Sequence, residues 1–321
     1  MTFHYFKHSN ALSTIQADAP GYNLMWFIYS NTVVAVNCFV LISGYFGIVF
    51  KKEKFIRFEL QMTFYSVLIF LFSALYLKTV SIDFSQIKYN LFPTISRVWW
   101  FMTDYMGLML VSPLLNIIID HTDKKKLQTI ILGLSIALVL LPSANFHPWY
   151  TGTGFSVYNF ILLYFIGRYV KLYWNKQLSW YWYAAAYVLI ISVIFRTRFG
   201  IYDFANSDPK SYYDNTLVVL AALLLFMVFL NIRIKLPSMI SKFVLTISSC
   251  TMGIYLIHDH PYIRNYVYKN VFHVENYFNS PHLIEIAIIS VLSFYCFCTA
   301  IEFVRQTLFK LAANSFITFK N

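Results

Sequence analysis

Hydrophobic positions in this chain do not alternate with polar ones; they gather into long runs separated by short polar punctuation. No charged residue occurs between Asp18 and Lys51, and the stretch Met25 to Phe50 inside that interval exceeds the ~20 apolar residues that cross a bilayer core. The pattern recurs and predicts membrane-spanning helices over roughly 25–49, 60–77, 98–119, 127–142, 157–173, 180–195, 215–230, 243–258 and 283–301. Transmembrane barrels show ten-residue alternating segments instead, and these are absent from the sequence. The first span is not uniformly apolar. Ser30, Asn31, Asn37, Ser43 and Gly44 lie within it, and polar groups at membrane depth must face protein or a cavity to be satisfied. The opening residues, MTFHYF, read as the last turns of a further apolar helix that begins before residue 1. The expected fold is therefore all-α, a polytopic integral membrane helix bundle with nine full spans plus a truncated first helix, and a single membrane domain over residues 1–321.

Composition supports this picture and removes other classes. Of the 321 residues 59% are hydrophobic and only 12% charged, against about a quarter charged in soluble domains. The net charge of +11 could point to nucleic acid, but the Lys and Arg sit in short clusters between apolar runs, so no nucleic-acid partner is expected. Most of the 25 basic residues fall in segments 50–58, 120–126, 168–176, 231–243 and 302–321. The positive-inside rule places these on the cytoplasmic side. A multi-pass protein of the cell membrane with its C-terminus in the cytoplasm follows. Cys38, Cys250, Cys296 and Cys298 all lie in apolar segments without metal-ligand spacing, which reads as buried free thiols.

Candidate chemistry sits at the ends of these spans. His4 and His8 share a helix face and offer a general base near neutral pH; the alternative is two interfacial histidines. A metal is not expected there, because no neighbouring Cys or carboxylate completes a site. Lys51, Lys52, Lys54 and Arg57 close the first span and either hold phosphates or set topology; Arg57 suits phosphate best. Asp104 lies about one turn inside a membrane boundary. It is either a functional carboxylate or a partner for Arg97. Pro113 should kink its helix, and Arg168 should snorkel. Trp149 and Tyr150, in the loop NFHPWYTGTGFSVY with His147, offer an aromatic platform for a sugar ring. His258 and His260, two apart in YLIHDHP, point to different faces of a helix and leave a base or an orienting group as options.

Four segments taken in order resemble the family-three integral membrane acyltransferases, which include polysaccharide and peptidoglycan O-acetyltransferases. They are Val36 to Phe46 with its Ser43-Gly44-Tyr45, Trp100 to Asn116 ending Ser112-Pro113-Leu114-Leu115-Asn116, Leu163 to Tyr169, and Gly253 to His258. The resemblance implies ten helices in the complete fold and a catalytic His at the position of His4; His258 is the next candidate base, and Asp104 is a further catalytic candidate on its location alone. The family's Arg eleven positions earlier would precede residue 1. The resemblance implies transfer of an acyl group, acetyl from acetyl-CoA as the first expectation, to a hydroxyl of a surface polysaccharide or its lipid-linked saccharide precursor, with no tightly bound cofactor. Lys52, Arg57, Ser43 and Asn37 would then line donor entry, and Trp149 and Tyr150 would meet the acceptor. Read from the residues alone, a membrane glycan polymerase or glycosyltransferase and a polysaccharide transporter remain the rival functions.

Overall fold

The computed structural model describes residues 1–146, 149, 151–175, 178–203, 208–209 and 212–318. It is built of helices, apart from one antiparallel pairing of Tyr202–Asp203 with Asp208–Pro209. A two-turn helix α1 (Thr2–His8) leads to α2 (Tyr22–Thr32), α3 (Ala35–Phe46), α4 (Lys52–Leu75) and α5 (Trp100–Asp120). Next come α6 (Lys124–Ser143), α7 (Val157–Tyr173), α8 (Trp180–Thr197) and α9 (Thr216–Asn231). The last are α10 (Ser238–His258), the short α11 (Pro261–Tyr266) and α12 (Leu283–Thr318).

Among the described residues seven helical segments are long and apolar enough to cross a membrane, α2 and α3 counting together as one. Helices of 17 and 16 residues stand at the other two expected spans, α7 and α9. The outward faces of α3, α4, α8, α10 and α12 carry large exposed apolar side chains, among them Phe46, Leu60, Leu189, Phe243 and Ile289. In water such a surface would drive aggregation; against lipid it costs nothing.

The first expected span proves to be two helices. Just before the break, three polar side chains turn back onto their own helix: Ser30 Oγ donates to Trp26 O at 2.7 Å, Asn31 Nδ2 to Phe27 O at 2.8 Å and Thr32 Oγ1 to Tyr29 O at 2.9 Å. Side-chain donors competing for helix carbonyls loosen the regular ladder, and the chain turns at Val33 and Val34 before α3 resumes. Pro113 likewise leaves the Met109 carbonyl without its helical donor, and Ser112 Oγ takes that carbonyl at 2.8 Å.

The centre of the bundle is α7 against α3. A Cβ on Gly44 would lie 2.5 Å from Tyr164 O, and one on Gly167 would lie 2.5 Å from Leu41 O and 2.7 Å from Tyr45 N. Two backbones touch here, which only glycine permits and which membrane bundles use for close packing. Below the contact a closed ring of hydrogen bonds fixes the chain as it leaves α3. Ile48 N donates to Tyr164 Oη (3.0 Å), Tyr164 Oη to Asn116 Oδ1 (2.6 Å), and Asn116 Nδ2 to Ile48 O (2.9 Å). Arg168 does not extend toward an interface; its Nη1 reaches Tyr45 O at 3.5 Å and caps the carbonyl end of α3.

Helix α12 runs past the expected 301 boundary and places Glu302 among α4, α10 and α12. Its carboxylate, 1% exposed, accepts from Tyr65 Oη at 2.5 Å, Gln61 Nε2 at 3.3 Å and Gln306 Nε2 at 2.9 Å. Arg305 binds both oxygens, at 2.8 and 2.6 Å. A Cβ on Gly253 would collide with that carboxylate.

Alanine at Gly44 or Gly167 forces these backbones apart, and each substitution is expected to cost about 1–3 kcal/mol as overpacking. At Gly133 nothing lies within 4 Å of an added Cβ, so Gly133→Ala should be neutral or gain up to ~1 kcal/mol of helix propensity. Thermal midpoints of the three variants in detergent check this; equal midpoints would contradict the contact.

Candidate functional site

The site forms where α1 meets the ends of α10 and α12, at the end of the bundle away from the basic run Lys51 to Arg57. Phe3, Tyr5 and Phe6 bury one face of α1. The other face, at helical spacing, carries His4 and His8, with ring centroids 5.3 Å apart. Helix α10 ends at His258, and Asp259 follows as its cap residue. Asp259 Oδ1 lies 3.3 Å from His4 Nδ1, 3.3 Å from His8 Nε2 and 3.2 Å from Arg264 Nη1. His4 Nδ1 also lies 2.9 Å from His258 Nε2. Asp259 keeps 3% of its side chain exposed, while His4 and His8 each keep 17%, so the imidazoles face an opening and the carboxylate does not.

The hydrogen bonds assign the protons. His258 Nδ1 lies 2.7 Å from Ile254 O. A carbonyl only accepts, so this nitrogen carries the hydrogen and Nε2 presents a lone pair. His4 must then donate from Nδ1, toward His258 Nε2 and Asp259 Oδ1 together. The free lone pair of neutral His4 is left on Nε2, the arrangement a general base requires. Burial alone would raise the Asp259 carboxyl; His4, His8 and Arg264 outweigh it and hold it well below the usual carboxylate range. The group is thus an anion beside His4 Nδ1, placed where it can orient the ring and stabilise an imidazolium.

Next to His4 the structure builds an aromatic surface. Trp100 stacks on Tyr213 at 5.4 Å, and Phe155 lies 4.3 Å from Trp100 and 4.8 Å from Tyr213. Lys7 Nζ sits over the Phe155 ring at 5.1 Å and the Phe3 ring at 5.4 Å. Thr151 Oγ1 holds this loop by donating to Asp214 Oδ2 at 2.8 Å, and Gly154, at φ +83°, lets it pass so close that a Cβ would lie 2.5 Å from Asp214 N.

With that geometry in view, a family model described as an acyltransferase domain matches residues 3–303. The chain belongs to acyltransferase family 3. No curated protein and no solved structure matches it. The four segments that carry the resemblance occupy two places in this family 3 chain. Three of them meet at the Gly44–Gly167 contact and the ring around Ile48; the fourth supplies Gly253 against Glu302 and His258 against His4.

The expected site residues separate in the same way. His4 and His258 come together. Asp104 does not join them through any hydrogen bond among the described residues; it pairs with Arg97 Nη2 at 2.8 Å, which also donates to Phe155 O at 2.8 Å. Asn37 is fully buried and clasps the loop before α9, with Nδ2 donating to Tyr213 O at 2.8 Å and Oδ1 accepting from Asn159 Nδ2 at 3.4 Å. Ser43 Oγ donates to Phe39 O at 3.0 Å and lies 3.2 Å from Tyr105 Oη. Lys52 and Arg57 are exposed at the start of α4. Trp149 is 57% exposed, while Tyr150 and His147 lie outside the described residues. The carboxylate that the local sequence lacked beside His4 and His8 is Asp259. A polar pair of histidines flanking an aspartate directly after an apolar span was the signal for it.

His260 turns away from this cluster toward Trp99, at a ring separation of 5.2 Å, and accepts from Tyr262 N through Nδ1 at 3.3 Å. Burial foremost, then Arg264, pushes its imidazole down to about 3. An unfolded histidine takes up a proton below about 6.5, so the unfolded chain binds more protons between those values. The contribution is present above pH 6.5 and is lost as pH falls toward 3. Thermal midpoints should therefore rise from pH 4 to 6.5, and His260→Phe should lessen that slope; an unchanged slope would show that His260 is protonated in the fold.

Proposed function

We propose that the protein is a membrane O-acyltransferase, acetyl from acetyl-CoA being the first donor, with a surface glycan or lipid-linked saccharide hydroxyl as acceptor. The observation that carries the reading is His4 held between Asp259 and His258 with Nε2 left basic. In this scheme His4 Nε2 removes the acceptor hydroxyl proton as that oxygen attacks the thioester carbonyl carbon. The tetrahedral intermediate collapses, the C–S bond breaks, and the thiolate takes the proton from the His4 imidazolium. Asp259 stabilises that imidazolium in a setting where charges are poorly screened.

The proposed orientation puts the basic segments in the cytoplasm with the C-terminus, and nine full spans across the bilayer. Lys52 and Arg57 then meet the donor's phosphates, and the Ser43–Tyr105 pair lies along the route to the opposite face. Across α10, 21 residues long, that route covers about 30 Å, so donor and base approach from opposite ends. For the acceptor, Trp100, Phe155 and Tyr213 suit a sugar face beside His4 better than Trp149, which stands apart on the rim.

Transfer of labelled acetyl from acetyl-CoA to surface polysaccharide, measured in membranes, tests this. His4→Ala should lower transfer by about 10²–10⁴-fold. Asp259→Asn should lower it by at least ~10-fold while donor KM stays unchanged. Trp100→Ala should raise acceptor KM more than Trp149→Ala. Full transfer by His4→Ala removes the base from this position, and label on neither polysaccharide nor lipid-linked saccharide removes the acyl-transfer reading.

A further inference from the structure

His4, His8 and Asp259 do more than orient a base, because three metal-binding atoms converge there within 4.8 Å of one another. They are two imidazole nitrogens and a carboxylate oxygen. A tetrahedral ion with ligand distances of ~2.0–2.1 Å separates its donor atoms by ~3.3 Å. Asp259 Oδ1 stands 3.3 Å from His4 Nδ1 and 3.3 Å from His8 Nε2. His258 Nε2 lies 2.9 Å from His4 Nδ1 but outside the converging group of three. Its other nitrogen donates to Ile254 O at 2.7 Å, which keeps the Nε2 lone pair facing His4. His4 and His8 keep 17% of their side chains exposed, which provides a way in.

The donor set also limits which ion fits. Imidazole nitrogens with one carboxylate suit Zn²⁺ and its neighbours; Mg²⁺ and Ca²⁺ require oxygen-rich shells. Arg264 Nη1, 3.2 Å from the same Oδ1 and 3.4 Å from Asp259 O, already compensates the carboxylate. Binding must therefore come from nitrogen ligation more than from charge attraction, which favours the borderline ion further.

We infer that His4, His8 and Asp259 form a site for one zinc-like divalent cation, and that its occupation and base catalysis by His4 exclude each other. In the metal-free arrangement His4 carries its hydrogen on Nδ1 and keeps Nε2 free. A metal on Nδ1 moves that hydrogen to Nε2, and the nitrogen that would accept the acceptor's proton is then already protonated. His8 shifts its hydrogen from Nε2 to Nδ1 in the same way, so two neutral imidazoles bind without releasing a proton. The ion is thus a switch acting on the site proposed above, although its binding can be read without any transfer.

Purified full chain in detergent, stripped with a chelator and titrated with Co²⁺, should show the visible bands of tetrahedral cobalt at one ion per chain. Zn²⁺ should abolish them, and Mg²⁺ or Ca²⁺ should not. His8→Gln should weaken binding by more than about 100-fold, His8→Cys should retain it, and His282→Ala, altering an exposed pair with Glu285, should leave it unchanged. Retention by His8→Cys separates ligation from a folding defect. Absent bands in the wild type, or bands unaffected in His8→Gln, overturn the site. In the transfer assay stoichiometric Zn²⁺ should inhibit at least tenfold and a chelator should reverse it; undiminished transfer with zinc bound overturns the exclusion. A chain that binds cobalt as described but never transfers acetyl leaves the metal site standing and removes only the acyl-transfer reading.

Discussion

The close approach of α3 and α7 at Gly44 and Gly167 is the contact on which the rest of the bundle rests. Lipid supplies no hydrophobic drive to bring helices together, so packing and internal hydrogen bonds must do so. Backbone touching backbone sets the spacing of these two helices, and each neighbouring feature follows from it. Tyr164 comes within reach of Ile48 and Asn116, Arg168 reaches the end of α3, and Asn37 at the other end of α3 clasps the loop before α9. The clasp holds Tyr213 beneath Trp100 and Phe155, which brings the aromatic surface next to α1.

Two buried carboxylates pack against the His258 half of α10, Glu302 at Gly253 and Asp259 just past the helix end, and they are treated differently. Glu302 has every oxygen occupied by Tyr65, Gln61, Arg305 and Gln306. Removing one partner would leave a charge in a medium that penalises it heavily, so this group is a structural clamp. Asp259 shares one oxygen among two imidazoles and an arginine, and both α1 imidazoles are partly open to the surroundings. Chemistry belongs with the incompletely enclosed group. The same openness that lets His4 meet a hydroxyl also lets it meet a metal ion, so catalysis and inhibition would draw on one set of lone pairs.

Long apolar runs made the helical membrane fold legible, since no other element satisfies a lipid-facing backbone. The break at Val33 and Val34 was less visible: Ser30 and Asn31 read as polar lining, yet each, like Thr32, serves its own helix. His4 stood out by its motif position and His258 by its place at a span end. Their pairing could not be read, because 254 positions separate them and no local periodicity encodes that contact. Asp259 was hidden for a related reason, as a carboxylate between two histidines offers no spacing that names its partner. Asp104 shows the opposite case. Pairing with Arg97, seven residues earlier, was one of its two readings from the sequence, and the structure shows that pair. Glu302 was placed in the cytoplasmic tail only because α12 was expected to end too soon.

The central claim is that a basic nitrogen at position 4, oriented by Asp259, removes the proton from the acceptor. Chemical rescue tests it most directly: His4→Gly opens a space the size of the missing ring, and free imidazole can fill it. The account predicts that His4→Gly is inactive alone and regains acetyl transfer in proportion to added imidazole, more so as pH rises through imidazole's own titration. It further predicts little rescue when Asp259→Asn is present in the same chain. Wild-type transfer by His4→Gly without imidazole would contradict it.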